Sequence, residues 1–163
     1  MHLYADGSCQ PNPGTGGWAF ILAQNDILQF EGAGSEPDST NNRMELTAVL
    51  KGIHYITARQ YSKIPMNIKL LTIALDSKYV LDGLETWSQN WIKQNWKKKD
   101  GKPVLNSDLW RQLVESVNHL KQMKIEIKYF HVKGHSGQVW NEKCDKLAVQ
   151  EAKKCIASSQ DTE

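Results

Sequence analysis

With 163 residues, 40% of them hydrophobic and 23% charged, the chain is long enough to bury its own core and has the composition of an ordinary globular protein. The net charge of +2 says little about partners, and three cysteines (Cys9, Cys144, Cys155) without metal-type spacing argue against a disulfide framework and for a reducing compartment. There is no basic-plus-apolar leader, and no apolar run approaches the roughly 20 residues of a membrane span, so the expectation is a cytoplasmic chain with no membrane contact.

The opening residues, His2 to about Ala5, read as a strand. Trp18–Leu22 and Ile27–Phe30, parted by Gln24, Asn25 and Asp26, read as a hairpin beside it. Between them "YADGSCQPNPGTGGWAFIL" sets Asp6 before Gly7, Pro11, Asn12, Pro13, Gly14, Gly16 and Gly17, which reads as a turn with a lone acid at its lip. Gly32, Gly34, Pro37 and Asp38 then read as sheet breakers. From Thr40 to about Ala58 the apolar residues Met44, Val49, Ile53 and Ile56 recur near helical spacing. "NIKLLTIALD" is a continuous apolar run, as expected of a central strand buried on both faces. Helical stretches follow around Lys78–Gly83, Thr86–Trp96 and Ser107–Gln122, then an alternating strand, Lys124–Val132, and a helix from Asn141 to about Lys154. The order β-β-β-α-β-α-α-α-β-α, without repeat or dividing linker, predicts one mixed α/β domain over residues 1–153. Residues 154–163, ending "ASSQDTE", are expected to be a disordered polar tail.

Four acids stand out by setting: Asp6, Glu45 in "TNNRMEL", Asp76 in "IALDSKYV" and Asp145 in "NEKCDKLA". Each has a plainer role open to it. Asp6 fits an Asx-type turn, Glu45 the returning acid of a capping box with Asn42, Asp76 a helix N-cap, and Asp145 a solvated helix charge. As a group they are stronger, because ligands of open α/β sheets bind outside strand ends and gathered carboxylates repel unless a cation neutralises them. Oxygen donors without a histidine or cysteine cluster favour Mg²⁺, with Mn²⁺ as substitute, and Mg²⁺ prefers a few carboxylates plus water and substrate phosphate. Two such ions about 4 Å apart serve in-line attack on a phosphodiester.

"YADGSCQPNPGTGGW", "TNNRMEL", "LDSKYV" and "VKGHSGQVWNEKCDKLA" resemble, in this order, the four signature blocks of type 1 ribonuclease H, from Leu3 to about Ala152. The resemblance implies a ribonuclease H-like fold, a five-stranded mixed sheet flanked by helices. It implies endonucleolytic hydrolysis of the RNA strand of RNA:DNA hybrids to 5′-phosphate and 3′-hydroxyl ends; nothing in the sequence calls for dimerisation, and a monomer is expected. By the same resemblance Asp6, Glu45, Asp76 and Asp145 are the metal-binding carboxylates. His135 matches the family's mobile catalytic histidine, which assists proton movement and product departure. His2, His54, His119 and His131 are taken as structural or incidental.

The 2′-hydroxyl marks a strand as RNA and is reached in the shallow minor groove. Asn41 and Asn42 suit it because an amide both donates and accepts, although both also suit helix capping. The resemblance supports these two and Asn12, and places Thr40 in a phosphate pocket for the DNA strand. "WIKQNWKKKDGKP" carries five lysines beside two tryptophans, so Lys97, Lys98 and Lys99 are expected on phosphates while Trp91 or Trp96 packs sugars or the fold itself. The segment resembles the basic protrusion of cellular type 1 enzymes in a shortened form, lacking a glycine–tryptophan unit. Lys78 departs from the expected glutamine-like residue near the RNA; it can donate to a 2′-hydroxyl but not accept, or pair with Asp76. Two other readings compete. One is a hybrid-binding module without hydrolysis, against which the intact acids and His135 speak. The other is the nuclease domain of a reverse transcriptase, against which the start at Met1, the tail and the protrusion speak.

Overall fold

In the computed structural model, which describes residues 1–133 and 138–161, the strands are β1 (His2–Cys9), β2 (Gly14–Gln24), β3 (Ile27–Ser39), β4 (Leu70–Leu75) and β5 (Glu126–His131). They form one five-stranded sheet in the order β3-β2-β1-β4-β5. β2 is antiparallel to both β1 and β3, whereas β4 runs parallel to both β1 and β5. The helices are α1 (Asn41–Gln60), α2 (Lys78–Asp82), α3 (Ser88–Lys93), α4 (Ser107–Gln122) and α5 (Val139–Gln160), with a π-helical turn, Gly83–Trp87, joining α2 to α3. This is the element order expected from periodicity.

The sheet has two buried faces. On one, Leu3, Phe20, Leu22, Ile73 and Leu75 pack against Leu46, Val49 and Ile53 of α1 and Trp110, Leu113 and Val117 of α4. On the other, Tyr4, Ala19, Ile21 and Ala74 meet Cys144 and Ala148 of α5. Among the described residues no helix is long and apolar enough to cross a membrane.

Three local expectations are corrected. Asp6 does not stand at the lip of a turn, because β1 continues to Cys9 and β2 begins at Gly14, with Gly7 paired to Trp18 and Ser8 to Gly17. Gly32, Gly34 and Pro37 do not break the sheet; β3 runs through all three. Gly32 is the register partner of Phe20 and Gly34 that of Trp18, and a Cβ on either glycine would strike its partner's ring. The rings of β2 thus lie across bare backbone of an edge strand, where Pro37 is also tolerated. Finally, α5 extends to Gln160, through most of the segment expected to be a disordered tail.

The β2–β3 turn follows its residues closely. Asn25 (φ 53°) and Asp26 (φ 61°) both take the left-handed conformation that a two-residue hairpin turn demands.

Candidate active site

β1 and β4 are parallel neighbours with Ala5 opposite Leu75, so Asp6 and Asp76 each follow the last residue that pairs the two strands, Asp6 still within β1 and Asp76 just past β4. Glycines then admit two helices to Asp6. A Cβ on Gly7 would collide with the backbone of Met44 and Glu45, so α1 lies directly against β1 there. A Cβ on Gly17 would collide with the carbonyl of Ala148 and the amide of Ala152, so α5 lies equally close on the other face. Glu45 thereby arrives from α1 and Asp145 from the first turns of α5. The bareness that reads as a turn in the sequence is what lets these helices approach.

The four acids are linked in series. One Asp6 oxygen accepts the Gly7 N–H at 2.9 Å, and the Asp145 carboxyl is near enough to raise that of Asp6 further. Burial, then the charge of Glu45, push the Asp6 carboxyl up to about 8, with Asp145 adding to the effect. Burial also raises Glu45, opposed by a hydrogen bond from Ser77 and reinforced by the charge of Asp76. Asp145 therefore acts on Asp6, Asp6 feels Glu45, and Glu45 reaches the Asp76–Ser77 turn. Among the described residues, no three Asp, Glu, His or Cys side chains close into a ready-made coordination shell. The row is open, as suits ions completed by water and substrate oxygens.

The plainer roles fall away for two of the acids. The N-cap of α1 is Thr40, whose Oγ1 accepts the Arg43 N–H at 3.2 Å, so Glu45 is not the returning acid of an Asn42 capping box. The N-cap of α2 is Ser77, whose hydroxyl accepts the Val80 N–H at 3.2 Å, which leaves the exposed Asp76 carboxylate uncommitted. The donor set is all oxygen, and Cys144, next in sequence to Asp145, does not extend it. That thiol is fully buried, and burial followed by the Asp6 charge pushes it far up, toward the neutral form. The residues present therefore fit hard divalent cations.

The neighbouring asparagines form a second group. The Asn41 amide oxygen accepts the Cys9 N–H at 2.7 Å, and the Asn12 oxygen accepts the Asn41 N–H at 3.2 Å. The 10–13 turn is thus clasped to the start of α1, with Asn12 and Asn42 exposed and Thr40 and Asn41 half-buried beside them. Cys9, for which no role is legible in the sequence, points its buried thiol at the carbonyls of Pro11, Gly14 and Ser39, at 3.2 to 3.4 Å. Lys78 is exposed at the start of α2, and among the described residues no ion pair joins it to Asp76. His135 lies outside the described residues.

The basic segment is a small hairpin. The Val104 N–H reaches the Trp96 carbonyl at 2.9 Å, Lys97 bridges to Pro103, and the Lys98 N–H meets the Lys102 carbonyl at 2.8 Å. Lys97, Lys98 and Lys99 are exposed along it. The tryptophans face inward: Trp96 is only 9% exposed, its ring 6.0 Å from Trp91 and covered by the Arg111 guanidinium at 5.5 Å, and Trp91 stands 5.1 Å from Trp110. The expectation that Trp91 or Trp96 packs sugars gives way to its alternative, packing of the fold. At the far end of the hairpin Arg43 grips Asp108 through two bonds of 2.8 and 3.0 Å, tying the start of α4 to the first turn of α1.

The sequence model of the family described as RNase H matches residues 1–153. The chain belongs to the RNase H family. A Ribonuclease H of Prochlorococcus marinus (strain NATL1A) is 43% identical over 144 residues, which cover 88% of this chain and 82% of that one. A Ribonuclease H of Novosphingobium aromaticivorans is 43% identical over 152 residues, covering 93% and 96%. Among solved structures LC9-RNase H1, described as a type 1 RNase H with the type 2 active-site motif, superposes with a TM-score of 0.74 at 31% identity, covering 94% of this chain and 72% of that one. As a ribonuclease H the chain is a nuclease acting on RNA in RNA:DNA hybrids, in a family that depends on divalent metal. The five-stranded mixed sheet and flanking helices are those of its RNase H neighbours.

Proposed function

We propose that this ribonuclease H cuts the RNA strand endonucleolytically, leaving 5′-phosphate and 3′-hydroxyl ends, with divalent cations held by Asp6, Glu45, Asp76 and Asp145. The observation that carries the reading is the row of carboxylates running from Asp145 through Asp6 and Glu45 to Asp76 at the sheet edge, where mutual repulsion and burial call for cations. Bound Mg²⁺ or Mn²⁺ would supply a water activated for in-line attack and stabilise the departing oxygen. The chain's own residues do the placing. Asp6 is fixed by the Gly7 N–H, and Ser77 favours the charged form of Glu45. Asn12, Asn41 and Asn42 offer amides to the 2′-hydroxyls of the RNA, Thr40 adjoins the DNA phosphates, and Lys78 donates beside Asp76. His135 takes the shuttling role, acting as a single monomeric domain requires, without a partner chain.

The test is an RNA:DNA hybrid with the RNA strand end-labelled, incubated with Mg²⁺ or EDTA beside RNA:RNA and DNA:DNA duplexes. Cleavage confined to the hybrid and abolished by EDTA is expected. Tight binding without cleavage under both Mg²⁺ and Mn²⁺ would make the chain a hybrid-binding module instead.

The exposed lysine tip carries its own prediction. Replacing Lys97, Lys98 and Lys99 together by Gln raises KM, leaves kcat near its starting value, and lowers the slope of log KM against log salt by about 2 to 3, because each lost phosphate contact removes close to one released counterion. An unchanged KM at low salt would take the tip off the substrate surface.

A further inference from the structure

His131 ends β5, an edge strand of the sheet, and its side chain is exposed. Its register partner is Leu75, yet its ring reaches one residue further and its Nε2 stands 3.0 Å from the backbone carbonyl of Asp76. A carbonyl oxygen only accepts, so Nε2 carries a proton and donates it. Beside this bond the Val132 N–H holds the Leu75 carbonyl at 2.8 Å. The end of β5 and the residue after it therefore grip two successive carbonyls, those of Leu75 and Asp76, where the chain leaves β4 for α2.

Asp76 sits on that bend, after the last strand residue and before the Ser77 cap. Its carboxylate is exposed and takes no part in capping, so the angle at which it leaves the sheet depends on how its peptide is held. Rotation of the Asp76 peptide would swing the carboxylate and also shift Ser77, which acts on Glu45. One hydrogen bond at this peptide thus bears on Asp76 directly and on Glu45 through its neighbour.

We infer that His131 is a positioning residue for the Asp76 end of the carboxylate row, setting the direction of Asp76 and, through Ser77, of Glu45. It acts through the backbone and not on the substrate, and any hydrogen-bond donor of similar reach can replace it. The inference rests on the nuclease reading given above.

The test compares His131→Ala and His131→Gln with the unaltered protein, using the end-labelled hybrid and a Mg²⁺ titration. His131→Ala is expected to lower kcat about tenfold, the rate equivalent of roughly one hydrogen bond, with KM for the hybrid unchanged and more Mg²⁺ needed for half-maximal rate. His131→Gln, whose amide N–H reaches a carbonyl, restores most of kcat. The side chain is exposed, so both variants should fold, and circular dichroism melting curves check this. A His131→Ala protein with full kcat and unshifted Mg²⁺ demand overturns the positioning role. So does a His131→Gln protein as impaired as the alanine variant, or a change confined to KM, which would make the ring a substrate contact. If the unaltered protein itself cleaves no hybrid, the nuclease reading fails first and this inference with it.

Discussion

Asp6→Asn is expected to lower hybrid turnover by about a thousandfold or more while making the metal-free protein more stable. On the proposed cation-holding role of the row, the loss follows from removing a charge at its centre, between Glu45 and Asp145; several kcal/mol of transition-state stabilisation by bound cations would correspond to that factor. The gain follows from the same charges. In the folded protein the Asp6 carboxyl is raised to about 8, whereas in the unfolded chain it titrates near its ordinary value of about 3.9. Between these values the native state binds a proton that the unfolded state does not, so this group's contribution to stability falls as pH rises through the window. Asparagine escapes the fall. In EDTA the variant should melt close to the unaltered protein at pH 4 and above it by at least about 2–4 °C at pH 8, allowing about 1 kcal/mol for a partly solvated site. Melting curves at the two pH values and single-turnover cleavage in Mg²⁺ measure both halves. Equal melting at pH 8 would mean that the acids do not repel across Asp6.

Gly17→Ala is expected to damage stability and catalysis together. The added methyl meets the Ala148 carbonyl and the Ala152 amide, which belong to the hydrogen-bonded backbone of α5 and cannot turn aside as a flexible side chain would. Either β2 or α5 must shift, at a cost of about 1–3 kcal/mol, comparable to overpacking elsewhere in cores. Asp145 lies on the same helix one turn before Ala148, so a displaced α5 draws it from Asp6 and kcat falls. Gly101→Ala is the control. Gly101 also resists a side chain, at φ +82°, but the space around it is open and it lies at the lysine tip. That variant should lose about 1 kcal/mol and keep its kcat. Urea unfolding with kcat for both variants decides the matter. A Gly17→Ala protein with unchanged urea midpoint and turnover would show that the close approach of α5 governs neither.

The element order was legible because its periods are clean. The alternating end of β5, the apolar run of β4 and the helical spacing from Met44 to Ile56 each admit one reading. What was not legible lay in the glycines. Gly7 and Gly17 pair within strands, and Gly32 and Gly34 lie under aromatic rings, so each answers to a neighbour distant in sequence rather than to a local turn. The acids could be picked out by setting, and their family by motif, but their linkage needed the close approach of α1 and α5. Ser77 was visible only as a neighbour of Asp76 and proved to be the cap that frees it. His131 left no signal, since a histidine ending an exposed strand matches no pattern until the Asp76 carbonyl is seen within its reach. Trp96 misled in the opposite direction: a lysine run beside an indole suggests stacking on sugars, yet the ring anchors the hairpin from below.

That anchoring has an engineering consequence. The bond from the Val104 N–H to the Trp96 carbonyl closes the basic hairpin at its base, so the residues between them form a cassette hung on a shut clasp. Changing the length of such a cassette costs little, about 0.6 kcal/mol for each doubling. On the proposed role of the lysine tip, grip on nucleic acid can therefore be retuned by exchanging the cassette alone, with the sheet, the aromatic floor and the row of acids left as they stand.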